Sequence, residues 1–262
     1  MKKVLITGIA GFVGSHLVDY LLQNHREGYE IHGIVRESDS FERISHNLAD
    51  LNLITCDLVN SSKVTDIIKN IHPDCIYHLA GDSSVKGSWD SLISSVNNNI
   101  VATLNILEAL RYNAAIESKI LLVCSSEEYG IVDTKDIPLI EESPLRPISP
   151  YAVSKAAVDM FGFQYYYNYG LKVIRIRAFN HTGPRRPEIY ALSNFAKQIV
   201  EIEKGVREPL IHVGNLDAVR DYSDVRDIVR GYALAMTYCQ AGEVYNLCSS
   251  KGYKIGDLLE MM

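Results

Sequence analysis

Tyr151 and Lys155 stand four residues apart behind Pro150, where a helix is predicted to begin. This spacing places the phenol and the ammonium on one face of that helix. A phenol, with a usual pKa of about 10, is a weak acid–base group at neutral pH, but a cation nearby lowers its pKa. Ser125, directly after a predicted strand, could polarise the same oxygen. Together they predict proton transfer with a carbonyl or carbinol oxygen; the alternative is a core tyrosine, a surface lysine and a turn serine.

A glycine motif follows the first predicted strand and opens the first predicted helix, with glycines at positions 8, 11 and 14. Glycines let the backbone approach a pyrophosphate closely, and a helix N-terminus offers free N–H groups and a positive dipole end. In this strand–turn–helix context the motif predicts a dinucleotide site and not only a structural turn. The predicted contacts in this turn are Gly8, Gly11, Phe12, Val13 and Gly14.

Arg36 ends the second predicted strand, where an NAD site usually has Asp or Glu to hold the ribose 2′-hydroxyl. Because a guanidinium matches a 2′-phosphate, it predicts NADP, with NAD as the alternative if Arg36 is a solvated loop charge. Asp57, after the third strand, is predicted to contact the adenine amino group or else to cap the next helix. The remaining predicted cofactor contacts are Leu58, Leu79, Ala80 and Gly81.

The elements that must position these residues follow from the hydrophobic pattern. Short apolar runs, near 3–7, 30–35, 52–55, 75–79, 119–124, 172–178 and 243–247, alternate with amphipathic stretches near 12–24, 62–70, 96–111, 151–169, 189–204 and 225–239. This order is typical of parallel strands joined by crossover helices, and strands without polar alternation indicate a sheet covered on both faces. The predicted fold is therefore α/β, a Rossmann-type doubly wound parallel sheet.

Beyond residue 178 the chain becomes rich in loops and proline. We therefore predict two domains, a cofactor domain over 1–178 and a smaller substrate lobe over 179–262 that is partly interleaved with the first.

Composition excludes several classes of protein. The 262 residues include 26 Lys and Arg against 32 Asp and Glu, and this net charge of −6 argues against a nucleic-acid partner. No apolar run approaches the roughly 18 residues of a membrane span, and the N-terminus leads into a strand instead of a signal-peptide core. Five cysteines without paired spacing indicate reduced thiols and no metal site. The protein is predicted to be cytoplasmic, with no membrane partner.

The motifs together resemble the extended short-chain dehydrogenase/reductases that act on nucleotide-sugars. Besides the glycines and the Ser125, Tyr151 and Lys155 set, the resemblance rests on segments 99–103, 177–184 and 220–227 and covers nearly the whole chain. It implies that Tyr151 is the acid–base, that Lys155 also holds the nicotinamide ribose, and that Ser125 hydrogen-bonds the reacting sugar oxygen. Asn99 corresponds to a structural and proton-relay residue, although Ala102 stands where Gly is usual.

The resemblance also implies substrate contacts by Ser126, by Asn180 and by Arg220, the last two at the diphosphate and nucleotide. Arg185 and Arg186 could add phosphate contacts, because arginine matches phosphate geometry, or could lie in a solvated loop. Within the family the GDP-mannose branch is the most similar, so the implied substrate is a GDP-sugar.

Three hypotheses for the function remain: two reactions of that branch, and a protein that binds the cofactor without catalysis. A reductase delivers one hydride to a C4 keto group with Tyr151 as proton donor; a 4,6-dehydratase also needs a carboxylate base, which Glu127 could provide. Segments 84–89, 195–199 and 214–227 resemble the reductases, and Tyr222-Ser223-Asp224 stands where dehydratases typically have Trp-Gly-His. We favour the reductase. The third hypothesis is a catalytically silent NAD(P)-binding sensor. The complete set of Ser125, Tyr151 and Lys155 argues against it.

Assembly and length give two further expectations. The predicted helices over 96–111 and 151–169 are apolar on more than one face, and the second ends with four tyrosines. The resemblance implies that they pair across a two-fold axis as a homodimer, which aromatic enrichment suits; packing on the chain's own sheet explains part of the apolar content. The resemblance also implies residues beyond Met262, so the smaller lobe is expected to be incomplete.

Overall fold

The computed structural model describes residues 1–25, 28–113 and 117–262. The strands in this part are, in chain order, β1 (Lys2–Thr7), β2 (Tyr29–Val35), β3 (Leu51–Thr55), β4 (Cys75–His78), β5 (Lys119–Ser125), β6 (Lys172–Ala178), β7 (Asn180–Thr182), β8 (Val219–Asp224), β9 (Val244–Leu247) and β10 (Gly252–Lys254). The helices there are α1 (Phe12–His25), α2 (Ser61–Ile71), α3 (Val85–Asp90), α4 (Leu92–Ser95), α5 (Ala102–Tyr112), α6 (Pro150–Tyr169), α7 (Ala191–Glu203), α8 (Val225–Tyr238) and α9 (Ile255–Glu260).

The main sheet contains all seven predicted strands, paired in parallel in the order β3-β2-β1-β4-β5-β6-β9. In the register of the sheet, Val4 of β1 lies opposite Ile31 on one side and Cys75 on the other. The strand order reverses between β1 and β4, which is where open α/β sheets bind ligands beyond their carboxyl ends. The predicted α/β, Rossmann-type fold is confirmed.

The sheet buries an apolar layer on each face because successive side chains of a strand point in opposite directions. Leu5 of β1 belongs to the layer with α2, α5 and α6. Val4 and Ile6 belong to the opposite layer, with α1 and α8. Because helices cover both faces of the sheet, its strands appear in the sequence as continuous apolar runs.

A second, three-stranded sheet has the order β10-β8-β7, with β7 parallel and β10 antiparallel to β8. Leu192 and Phe195 of α7 pack with Ile255 of α9 in a small separate core beside it. Between these elements the chain returns to the main sheet, where α8 packs on α1 and β9 pairs with β6. The division into two domains at residue 178 stays a prediction.

The long helix predicted near 96–111 is interrupted. Residues Val96–Val101 form a wider π turn, and α5 continues only from Ala102. Three consecutive asparagines, which are weak helix formers, occupy this turn, and such turns are frequent at functional sites. The short helices α3 and α4, which the sequence did not predict, precede it. In the three described ranges, no helix has both the length and the apolar character needed to cross a membrane.

Candidate active site

A cleft of about 670 Å³ opens at the carboxyl edge of the main sheet. Residues at or just beyond the ends of β1 to β6 line it, on both sides of the point where the strand order reverses. Most of the predicted site residues lie in its walls: Gly8, Gly11, Phe12, Val13, Gly14, Arg36, Asp57, Leu58, Leu79, Ala80, Gly81, Ser125, Ser126, Glu127, Tyr151, Lys155 and Asn180. Arg185 and Arg220 are not among the lining residues.

The glycine turn between β1 and α1 has the geometry of a phosphate cradle. Gly8 has a φ of +67°, and a Cβ there would lie 2.9 Å from the backbone nitrogen of Ala80. A Cβ on Gly14 would lie 2.3 Å from the carbonyl oxygen of Gly8. Only glycine fits at these two positions, so the backbone and the open N-terminus of α1 can face a pyrophosphate directly.

Two arginines in the segment that follows β2 line the cleft. Arg36 lines the cleft with a side chain that is 60% exposed, and Asp39 accepts its backbone N–H at 2.9 Å. Arg43, in the 3-10 turn over Glu42–Asp50, lines the same wall. Sequence reasoning missed Arg43; its signal was a second arginine seven residues after the first. Two guanidiniums beside the expected adenosine ribose fit a 2′-phosphate.

Asp57 lies in the cleft wall and does not cap the next helix. Its Oδ1 accepts the backbone N–H of Val59 at 3.0 Å, whereas the side chain of Asn60 caps α2 by accepting from Lys63 at 3.0 Å. The helix-cap alternative is therefore wrong, and an adenine contact for Asp57 stays a prediction.

Helix α6 presents Tyr151 and Lys155 to the cleft from its first turns. The Ser149 side chain caps the helix by accepting the backbone N–H of Ala152 at 3.1 Å, and Pro150 occupies the first helical position, where its missing N–H costs nothing. Both functional side chains are largely buried: Tyr151 is 8% and Lys155 is 9% exposed. The predicted helix and its shared face are confirmed.

The expected lowering of the Tyr151 pKa by Lys155 is wrong for this structure. Burial raises the pKa of Tyr151 above its ordinary value, and a hydrogen bond from Ser125 opposes the rise without reversing it. The Lys155 ammonium donates to the carbonyl of Val123 at 2.8 Å, and burial lowers the pKa of Lys155. Tyr151 therefore holds its proton at neutral pH, as a proton donor must.

Ser125 ends β5 with its hydroxyl in the cleft. Its Oγ accepts the backbone N–H of Glu127 at 3.2 Å, which leaves the hydroxyl hydrogen free to donate to Tyr151 or to a substrate oxygen. Glu127 itself lines the cleft on the next turn of chain.

Asn99, in the π turn, holds the first turn of α6 in place through hydrogen bonds. Its amide donates to the Ser154 hydroxyl at 2.8 Å, which in turn donates to the carbonyl of Tyr151 at 2.7 Å. The Asn99 Oδ1 accepts the backbone N–H of Asp82 at 2.7 Å. These contacts give Asn99 a structural position beneath Tyr151; a proton-relay role stays a prediction.

Glu128 is a fully buried carboxyl that sequence reasoning missed. Its Oε1 accepts the backbone N–H of Ser125 at 2.7 Å, which completes a capping box around the turn over Ser126–Tyr129. Behind it, Asp159 accepts from Arg177 Nε at 2.7 Å and also pairs with Arg175. Burial and the neighbouring Asp159 carboxylate raise the pKa of Glu128 to about 8.

We expect Glu128→Gln to stabilise the protein at high pH and to leave its stability unchanged near pH 5. The folded-state pKa of Glu128, about 8, lies above its ordinary value of 4.5. Its carboxyl group therefore favours folding when protonated, and this contribution is lost as pH rises from about 4.5 through about 8. Urea unfolding of both proteins from pH 5 to pH 9 measures the difference; Glu127→Gln, on the cleft side of the same turn, is the control. Parallel curves for wild type and Glu128→Gln would contradict the assignment.

The two predicted arginine contacts outside the cleft have other surroundings. The Arg185 guanidinium donates to Asp19 at 2.5 Å and to the carbonyl of Arg43 at 3.0 Å. Arg220 is exposed on β8 and donates to the carbonyl of Val219 at 2.8 Å. Arg186 does line the cleft, with its guanidinium 4.0 Å from the ring centroid of Tyr190. Arg186 thus lines the cleft and Arg185 and Arg220 do not, and a phosphate contact by any of the three stays a prediction.

Comparisons with known proteins agree with this geometry. A family model described as GDP-mannose 4,6 dehydratase matches residues 5–262. GDP-6-deoxy-D-mannose reductase of Pseudomonas aeruginosa is 30% identical over 261 residues, which cover 100% of this chain and 79% of that protein. GDP-mannose 4,6-dehydratase of Yersinia enterocolitica is 36% identical over 240 residues, but the matched chain spans only 63% of that protein.

Solved structures show the same likeness. RMD of Pseudomonas aeruginosa, solved with NADPH, matches 100% of this chain and 81% of its own with a TM-score of 0.84 and 29% identity. A dTDP-glucose 4,6-dehydratase of Bacillus anthracis, solved with NAD, matches 99% of this chain and 79% of its own with a TM-score of 0.86 and 26% identity. The predicted resemblance to enzymes of the short-chain dehydrogenase/reductase type is confirmed, and the chain belongs to the GDP-mannose 4,6-dehydratase family.

Proposed function

We propose that the protein is an NADP-dependent reductase that converts the C4 keto group of a GDP-4-keto-6-deoxy-hexose to an alcohol. The observation that carries this proposal is the cleft at the carboxyl edge of the sheet, whose wall contains Tyr151, Lys155 and Ser125 together. The match of the whole chain to a GDP-6-deoxy-D-mannose reductase supports the same reaction.

The residues present fit a nicotinamide dinucleotide. The cradle at Gly8 and Gly14 would hold the pyrophosphate, and Arg36 with Arg43 would hold the 2′-phosphate that distinguishes NADP from NAD. The NADPH in the Pseudomonas aeruginosa structure supports this preference, while the NAD of the Bacillus anthracis enzyme keeps NAD as the alternative. When bound, NADPH supplies the hydride that forms the new C4–H bond.

The chain's own residues move the proton. Tyr151 donates its phenolic proton to the oxygen on C4, so the carbonyl becomes a hydroxyl and the tyrosine becomes a phenolate. Ser125 donates a hydrogen bond to the same region, which stabilises the negative charge on either oxygen. Asn180 and Ser126, in the cleft wall beyond them, are proposed to hold the sugar diphosphate, and Arg186 joins them.

A 4,6-dehydratase is the second candidate because Glu127 lines the cleft two residues from Ser125. That reaction removes the C5 proton after oxidation of C4, so it requires a carboxylate base at this place. The family model and the Yersinia enterocolitica relative support it. The reductase stays the first proposal because Tyr222, Ser223 and Asp224 replace the Trp-Gly-His typical of dehydratases.

Two assays separate the candidates. Oxidation of NADPH on addition of a GDP-4-keto-6-deoxy sugar supports the reductase. Formation of a 4-keto product from GDP-mannose, with no net consumption of cofactor, contradicts the reductase and supports the dehydratase. A protein that binds NADPH and is silent in both assays would be the sensor.

We expect Glu127→Gln to retain reductase turnover to within a few-fold, since the reduction uses no carboxylate base. In a dehydratase the same change removes the base for C5, and turnover falls about 10²–10⁴-fold. Steady-state kinetics with each substrate measures the difference. A reductase activity that collapses in Glu127→Gln would show that the carboxylate has a role in this protein beyond the one proposed.

We also propose a homodimer through the helical segments over 96–111 and 151–169, of which α6 carries the observation. Its exposed apolar side chains recur with a spacing of seven, three and four residues, at Val153, Met160, Phe163 and Tyr167. This spacing forms one continuous stripe on a helix, which suits a helix from a second copy. Met160→Glu is expected to shift the protein to a monomer in light scattering, whereas Val206→Glu, at an exposed position away from α6, is not. A wild type that is monomeric at micromolar concentration would contradict the proposal.

The remaining proposals concern location and domain division. All five cysteines are free thiols in the structure, which supports a cytoplasmic location, since thiols stay reduced there. We retain the division into a cofactor domain over 1–178 and a substrate lobe over 179–262, with α8 and β9 interleaved.

A further inference from the structure

Arg43 and Arg185 hold each other's backbone through reciprocal hydrogen bonds. Arg43 Nε donates to the carbonyl of Arg185 at 3.0 Å, and Arg185 Nη1 donates to the carbonyl of Arg43 at 3.0 Å. The two residues are 142 positions apart in the chain. We call this pair the arginine clasp. It joins the 3-10 turn after β2 to the loop after β7.

Arg185 is in turn anchored to α1. Its Nη2 donates to Asp19 Oδ2 at 2.5 Å and to His16 Nδ1 at 2.9 Å. The other ring nitrogen of His16 lies 2.9 Å from the carbonyl of Pro184, which can only accept, so Nε2 carries the hydrogen and Nδ1 is free to accept from Arg185. The guanidinium therefore bonds three acceptors on two segments of the chain.

The backbone of Arg185 is held in an uncommon conformation. Its φ of +68° lies in the left-handed region, which side-chain-bearing residues rarely adopt. Such conformations persist where the surroundings fix them, and they concentrate at functional sites. Here the conformation turns Arg185 toward α1, while the next residue, Arg186, lines the cleft.

The arginine clasp fixes the side chain of Arg43, which lies in the wall of the cleft where the cofactor is proposed to bind. Arg43 lines the cleft beside Arg36, and the bond to the Arg185 carbonyl uses its Nε, which fixes the direction of the guanidinium. A long arginine side chain that is already ordered loses less conformational entropy when it binds a phosphate. Ordering Arg43 thus favours a ligand that carries the 2′-phosphate over one that does not.

We propose that Arg185 is a positioning residue that holds Arg43 for the 2′-phosphate of NADP and so contributes to the preference for NADP over NAD. This inference rests on the proposed NADP site. Arg185 itself does not line the cleft. The neighbouring residue, Arg186, lines the cleft and is proposed to contact the substrate instead.

The test is a binding experiment on the whole chain. Isothermal titration with NADPH and with NADH is carried out on wild type, Arg43→Ala, Arg185→Gly and the double variant. Glycine is chosen at 185 because it accepts the left-handed backbone without strain. Arg185→Gly keeps the backbone carbonyl that accepts from Arg43 Nε but removes the side-chain bonds that hold this carbonyl in place. We expect Arg43 to lose its fixed direction, so that NADPH binding weakens about tenfold while NADH binding stays within twofold.

The double variant decides whether Arg185 acts through Arg43. If it does, the double variant loses no more NADPH affinity than Arg43→Ala alone; additive losses, an equal loss for NADH, or no loss in Arg185→Gly overturn the inference. Asp19→Asn, which loosens Arg185 from the α1 side, is expected to reproduce the selective loss and replaces Arg185→Gly if that variant does not fold. A wild type that binds NADH as tightly as NADPH overturns the proposed NADP site and this inference with it, whereas a selective wild type with an unaffected Arg185→Gly overturns the inference alone.

Discussion

Replacing Tyr151 by phenylalanine is expected to lower kcat about 10²–10⁴-fold, the range that a positioned acid–base group contributes. The substitution removes only the hydroxyl from a side chain that is 8% exposed, so the apolar contacts of the ring remain. Ser125 cannot replace the proton donor, because a serine hydroxyl is a much weaker acid than a phenol. Steady-state turnover with a GDP-4-keto-6-deoxy sugar, together with NADPH titration to confirm an intact cofactor site, measures the effect.

Tyr77→Phe is the matched control for this prediction. Tyr77, in β4, is 3% exposed and does not line the cleft. Removing its hydroxyl is expected to leave kcat within about twofold, because that side chain lies outside the active site. A fully active Tyr151→Phe protein would exclude the proposed proton transfer, and equal losses in both variants would point to a packing effect.

The residues that sequence reasoning placed correctly in the cleft are those whose function depends on short spacing. The glycine motif spans only seven residues, from Gly8 to Gly14. The four-residue interval from Tyr151 to Lys155 places both side chains on one helix face. The strand–turn–helix order then brings both to the carboxyl edge of the sheet. Local pattern and topology were enough for these positions.

What sequence reasoning missed depends on burial and on contacts between distant segments. The spacing of Tyr151 and Lys155 indicates proximity, but the direction of the Tyr151 pKa shift is set by burial, which the spacing does not contain. Arg185 and Arg186 are adjacent and chemically identical. The left-handed backbone at Arg185, stabilised by Asp19 far away in the chain, leaves only Arg186 in the cleft wall.

Replacing Asp159 by alanine is expected to lower the free energy of unfolding by about 3–5 kcal/mol, the usual cost of removing one partner from a buried ion pair. The side chain of Asp159 is 2% exposed and pairs with Arg175 and Arg177, whose side chains are 10% and 6% exposed. Without the carboxylate, two guanidiniums lie in the protein interior with less negative charge to offset them. Against a typical stability of about 5–15 kcal/mol, this loss is large.

Urea unfolding at pH 7 measures the effect, with Asp227→Ala as the control because Asp227 pairs with Arg230 at an exposed position, where an ion pair contributes little. Equal losses in the two variants would mean that Glu128, 3.4 Å from Arg177, neutralises the cluster when Asp159 is removed. The folded Asp159→Ala protein should also turn over more slowly, because the same cluster supports Glu128 and, through it, the backbone of Ser125. Loss of stability with full turnover would separate the cluster from the active site and leave it a purely structural role.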